Sequence, residues 1–170
     1  MPALALAQSW TVQPDDSALR FAVMQGSTKI DGAFETFSAD ITFDPDNLDQ
    51  ASVTVTVDIS SFESGDATRD STAMGAQWFA AGQFPEAVYA TRSFEATGDG
   101  TYNVVADLTM RGVTKEVSHP VSITIDGDTA QAVGEVPIMR TEFGVGQGEF
   151  ATGNTVALDV TVTFDIKATR

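Results

Sequence analysis

Apolar and polar residues alternate with a period of two along most of this chain. That period belongs to strands with one buried face. The longest such stretch carries Tyr102, Val104, Ala106, Leu108 and Met110 on one parity. Beyond Arg111-Gly112 the parity resumes with Val113, Val117, Val121, Ile123 and Ile125. Two alternating runs joined by a short turn containing glycine predict a long β-hairpin. Shorter alternating runs predict further strands. They are Trp10-Thr-Val12, then Leu19, Phe21 and Val23, then Phe37, Ala39, Ile41 and Phe43, then Val53, Val55, Val57 and Ile59. Strands also follow over 89–96 and 131–139. The last is long, with Val156, Leu158, Val160, Val162, Phe164 and Ile166 in register. Turn clusters such as Pro14-Asp-Asp-Ser17, Asp44-Pro-Asp-Asn47 and Asp126-Gly-Asp128 separate them. About eight substantial strands at regular spacing predict an all-β fold, an antiparallel barrel or sandwich.

The alternation stops over 66–79. Asp66 stands where a helix N-cap is wanted, and Ala73, Met74, Gln77 and Trp78 fall at helical spacing. One helix is therefore expected over 66–79, lying as a lid across the sheet.

Composition narrows the function classes. The 170 residues suit one domain with a sizeable core. A net charge of -15 repels polyanions, so nucleic acid is excluded as a partner. The absence of cysteine removes disulfides, thiolate catalysis and cysteine metal sites. Ala5-Leu6-Ala7 fits a small-x-small cleavage site with Gln8 as the first mature residue. Residues 1–7 thus read as the remnant of a secretory signal and 8–170 as the domain. No apolar run is long enough to span a bilayer.

The residues that could carry catalysis do not assemble into a set. His119 is the one histidine, on the parity of Val117 and Val121. It reads as a polar contact for a ligand head group inside an apolar lining, or as a satisfied structural histidine. Asp66 and Asp70 sit four apart but beside Arg69, which suits capping and local pairing. Asp44, Asp46 and Asp49 lack the glycine and glutamate of a calcium loop. Gly144-Val-Gly-Gln-Gly148 is not followed by a helix, so it is no dinucleotide fingerprint. These residues point to no enzyme, cofactor or metal site.

Several short motifs resemble the YceI-like family of polyisoprenoid-binding, lipocalin-like periplasmic proteins. They include Gly32-Ala-Phe34-Glu-Thr-Phe37, Ile41-Thr-Phe-Asp44-Pro45, Val57-Asp-Ile-Ser-Ser-Phe62, Arg69-Asp70 and Trp78-Phe79. Phe84-Pro85, Asp107-Leu-Thr-Met-Arg-Gly-Val-Thr-Lys115 and Arg140-Thr-Glu-Phe143-Gly144 complete the series in the family's order. Ser71-Thr72 depart from the family's His-Leu pair, and His119 stands where an apolar residue is usual.

The resemblance implies an extended antiparallel β-barrel of about eight strands with one short lid helix. It also implies a periplasmic location in a Gram-negative bacterium. The ligand it implies is a long isoprenoid, a polyprenyl phosphate or an isoprenoid quinone, threaded through a central tunnel for transport or storage. The lining would come from Phe21, Val23, Phe37, Ile41, Phe43, Val55, Val57, Ile59, Met74, Trp78, Phe84, Leu108, Met110, Val121 and Phe143. Arg140, His119 and Arg111 are the candidates for the head group; for Arg140 the alternative is a salt bridge closing the barrel mouth. A cytochrome b561-type membrane protein and a homodimer are the protein partners to test. The competing reading is a stress-related interaction module whose barrel is filled by its own side chains.

Overall fold

A computed structural model describes residues 9–170, so the proposed signal remnant lies outside the described residues. The strands are β1 (Ser9–Val12), β2 (Ala18–Gln25), β3 (Thr28–Phe34), β4 (Phe37–Thr42), β5 (Ser52–Asp58) and β6 (Phe62–Glu63). After helix α1 (Ala67–Ala73) come β7 (Glu86–Gly98), β8 (Thr101–Met110), β9 (Val113–Asp126), β10 (Thr129–Met139) and β11 (Val156–Thr169). All neighbouring strands run antiparallel, in the order β1-β4-β5-β7-β8-β9-β10-β11, and β1 pairs back onto β11. Eight strands thus close a barrel. β2, β3 and β6 continue the sheet from the other half of β11.

The closure depends on the length of β11. Its last residues pair with β1, Thr169 opposite Thr11 and Ala168 opposite Val12. Its earlier residues pair with β2, from Asp165 opposite Ala18 to Val156 opposite Gln25. β1 and β2 therefore lie end to end along one strand, divided by a 3-10 turn at Pro14–Asp16. Pro14 removes a donor there, and the Ser17 hydroxyl bridges the break by accepting from the Lys167 N–H at 2.9 Å.

The hairpin expected at the centre is β8 and β9, paired from Thr101 opposite Ser122 to Met110 opposite Val113. Arg111 and Gly112 both have positive φ, 52° and 74°, the geometry of a type I′ turn. The expected parity faces inward, and Ala106 is wholly buried. Ring packing fills one end. Trp10, Phe43, Tyr102 and Ala168 form a core cluster there, and the Trp10 indole donates to the Phe43 carbonyl at 2.9 Å.

The helix is shorter than its spacing predicts. It ends at Ala73 instead of running to 79, and Gly75 donates to Thr72 in a tighter turn. A left-handed Ala80 (φ 50°) then folds 74–85 back across the barrel mouth. Phe79 meets Phe34 and Phe62 edge-on there. Gly32 makes this packing possible, because the Phe21 ring occupies the space its Cβ would need.

One seam of the barrel is unlaced. β9 and β10 pair only from Asp126 opposite Thr129 to Val121 opposite Gly134. No ladder joins Val113 through Pro120 of β9 to Glu135 through Met139 of β10 among the described residues. Strand alternation turns the backbone N–H of even β9 positions and odd β10 positions toward this seam. Pro120 and Pro137 both occupy seam-facing positions, so the donor each lacks is missing from the seam and not from the intact ladders on their other sides.

Candidate functional site

The barrel interior is not filled. A cavity of about 230 Å³ occupies the half closed by Trp10, and one of about 470 Å³ the half beneath α1 and the 74–85 segment. Phe34, Met110, Ile138 and Val162 line both. These four apolar side chains form the boundary the two spaces share, a waist between them.

The narrow cavity is lined by the inward rows of the barrel strands, including Phe37, Ile41, Phe43, Val55, Val57, Ile59, Leu108 and Val121. Polar residues interrupt it in one place. His119 lies opposite Val104 on the inward face and is 3% exposed. Its Nδ1 donates to the Pro120 carbonyl at 3.0 Å, so its Nε2 is the acceptor for the Tyr89 hydroxyl at 2.5 Å. Thr91, also in the lining, accepts from the Val53 N–H at 2.8 Å. Burial holds His119 below the ordinary imidazole value, opposed in part by the bond to Pro120. Burial also pushes the Tyr89 phenol well above its ordinary value. The dyad is thus neutral, and each ring nitrogen has its partner within the wall. Of the two sequence readings of His119, the geometry matches the satisfied histidine.

The wide cavity takes Phe21, Val23 and Trp78 from the expected lining and adds Ile30, Phe62, Val145 and Phe150. Its charged neighbours are Asp66, Arg69 and Arg140. Arg140 is 3% exposed, yet no carboxylate pairs with it among the described residues. Its Nε donates to the Ala157 carbonyl at 2.9 Å. Nη1 donates to Val145 at 2.9 Å and Gly146 at 3.2 Å, and Nη2 to Phe150 at 2.5 Å and Val156 at 2.8 Å. All five donors of the fork are engaged. Its guanidinium also lies 5.0 Å from the centre of the Trp78 ring. The salt bridge expected at the mouth is absent among the described residues; five backbone carbonyls take its place and leave Arg140 no donor for a ligand.

Arg140 fixes the 144–155 loop, and that loop is stitched to the lid. The Gln77 carbonyl accepts the N–H groups of Gly146 and Gln147, each at 2.8 Å. Trp78 and Phe150 pack with ring centres 4.9 Å apart. Arg111 stays outside both cavities and donates to the Ala76 carbonyl at 2.7 Å, tying the hairpin turn to the same lid. Three other expected lining residues are also elsewhere. Met74 packs from the lid onto the cluster of Val57, Ile59 and Ala87. Phe84 lies against Gly112, and Phe143 is buried in the 3-10 turn that follows β10. Each is apolar and near the mouth, but the lid's doubled-back path turns it into packing.

Sequence reasoning missed Tyr89, Thr91 and, of the waist, Phe34, Ile138 and Val162; Met110 was expected in the lining. Tyr89 was legible as an inward-parity residue, but its contact with His119 spans two strands, a register that no local pattern encodes.

A model of the YceI-like domain matches residues 10–168. The chain belongs to the YceI-like family. BcnA from Burkholderia cenocepacia is similar in structure, with a TM-score of 0.90 and 34% identity over 93% of this chain and 99% of that one. A polyisoprenoid binding domain from Saccharophagus degradans, described as implicated in plant cell wall breakdown, shares the fold. Its TM-score is 0.78 at 14% identity, over 94% of this chain and 97% of that one. A UPF0312 protein of Vibrio parahaemolyticus is 37% identical over 93 residues, which is 55% of this chain. That match spans about half the length of the Vibrio relative, 49%.

Proposed function

We propose that this YceI-like protein binds a long-chain isoprenoid lipid, without catalysis, along the two joined cavities. The observation that carries the reading is the waist. Two cavities meeting across Phe34, Met110, Ile138 and Val162 suit a ligand that is long, thin and apolar. The dyad supports it, because Tyr89 and His119 satisfy each other and present carbon to the interior. The polyisoprenoid-binding description of the Saccharophagus domain is consistent with such cargo.

Energetics favour a carrier or store over a permanent holder. Burying an isoprene unit from water gives roughly 3–4 kcal/mol, at the usual increment per methylene. The same unit leaving a bilayer starts in hydrocarbon, so that gain nearly vanishes. Exchange then rests on shape and on the head group, which suits loading and unloading at a membrane. Export to the periplasm, with cleavage before Gln8, belongs to this reading, and N-terminal sequencing of exported protein tests it.

Mass spectrometry of organic extracts from the purified protein is the direct test of cargo. A polyprenyl phosphate or isoprenoid quinone in the extract supports the reading. A protein that yields no lipid, and takes none from vesicles doped with either compound, removes it.

A further inference from the structure

Two cations line the cavities, Arg69 and Arg140, both on the wide one. Arg140 has no donor left. Arg69 differs. It sits in α1, half-buried, and its Nη1 donates to the Ser64 carbonyl at 3.2 Å and hydroxyl at 3.4 Å. Its Nε and Nη2 have no protein partner among the described residues, and no carboxylate lies within salt-bridge distance. Asp66 is near, but its Oδ1 accepts the Arg69 backbone N–H at 2.9 Å as the helix cap. Asp70 is turned to Ser64, accepting its N–H at 2.9 Å and its hydroxyl.

We propose, resting on the lipid-binding reading above, that Arg69 is the specificity residue for the polar end of the ligand. Its unengaged N–H groups receive an oxygen-bearing head in the wide cavity while the tail passes the waist. A guanidinium offers donors only, so the head it selects must offer acceptors. Phosphate oxygens and quinone carbonyls share that chemistry, and phosphate adds charge assistance and a two-pronged fit. The charge of Asp66 opposes a dianion at the same place, so the preference for phosphate is moderate.

The test compares wild type with Arg69→Gln and Arg69→Lys, using uptake from neutral vesicles doped with polyprenyl phosphate, with ubiquinone or with squalene. Squalene is the control with a tail and no head. Arg69→Gln is expected to lower phosphate-lipid affinity about tenfold and ubiquinone affinity less, with squalene uptake unchanged. Added salt should weaken phosphate-lipid binding by wild type and leave the Gln variant flat. Arg69→Lys should restore part of the phosphate binding and its salt dependence. Equal losses for all three lipids, squalene included, mean a structural role and overturn the proposal. So does a Gln variant indistinguishable from wild type. Wild type that takes squalene but neither headed lipid overturns the proposal and leaves the tunnel standing. Wild type that takes none of the three overturns the lipid-binding reading itself.

Discussion

Tyr89 and His119 form a closed polar unit inside an apolar wall, and its energetics follow from what each loses alone. Tyr89→Phe leaves the buried Nε2 without a donor, and His119→Leu leaves a buried hydroxyl without an acceptor. Each single change should cost about 1–3 kcal/mol, while the double variant should return close to wild type. Denaturant midpoints of the four proteins give the cycle. Acid adds a second signature. Because the folded protein holds His119 below its ordinary value of 6.5, the unfolded chain takes up that proton first as pH falls. The dyad's contribution is complete above about pH 6.5 and declines below it, toward the lower folded value. The double variant should lose that part of the acid slope. Arg140 is the harsher case. Arg140→Lys keeps the charge but offers three donors to five carbonyls, and should destabilise by more than about 4 kcal/mol, seen as a large fall in Tm.

At the scale of elements, most strands were legible because each needs only a period of two; β3 and the two-residue β6 were not. The β8–β9 hairpin, its two-residue turn and the inward parity all follow from residues within reach of one another. The helix was legible at its start, where Asp66 caps it, and not at its end. There Gly75 and the left-handed Ala80 serve contacts of Phe79 with Phe34 of β3 and Phe62 of β6. The lining shows the same division. Val55, Val57, Leu108 and Val121 lie where alternation puts them, while Met74, Phe84 and Phe143 follow turns whose paths depend on tertiary packing. Arg140 was legible as a residue of the mouth; that its partners are five carbonyls was not, because three come from a loop without periodicity and two from the start of β11, far from Arg140 in sequence. Val57→Trp separates space from packing. Set in the narrow cavity, the larger ring should block lipid co-purification at near-normal Tm. A destabilisation of about 1–3 kcal/mol with lipid retained would mean that Val57 is ordinary core.

For the whole molecule, charge is the dominant global quantity. With 24 acidic residues against 9 basic ones, the folded shell repels itself. Moderate salt should therefore raise Tm, and a calorimetric series in sodium chloride checks it. The seam between β9 and β10 bears on the whole barrel in another way. A ring whose strands are all laced has a fixed girth, since each pair is held about 4.8 Å apart. Here the β9–β10 junction is released over more than half the length of β9, at two prolines that cannot tie it, while the β8–β9 and β10–β11 junctions on either side stay laced. The circumference next to Val136 and Ile138 is thus set by side chains and by whatever they surround. Methyl branches along a chain need a bore that swells and narrows as they pass. An unsewn stitch line between two fully sewn neighbours supplies that give locally.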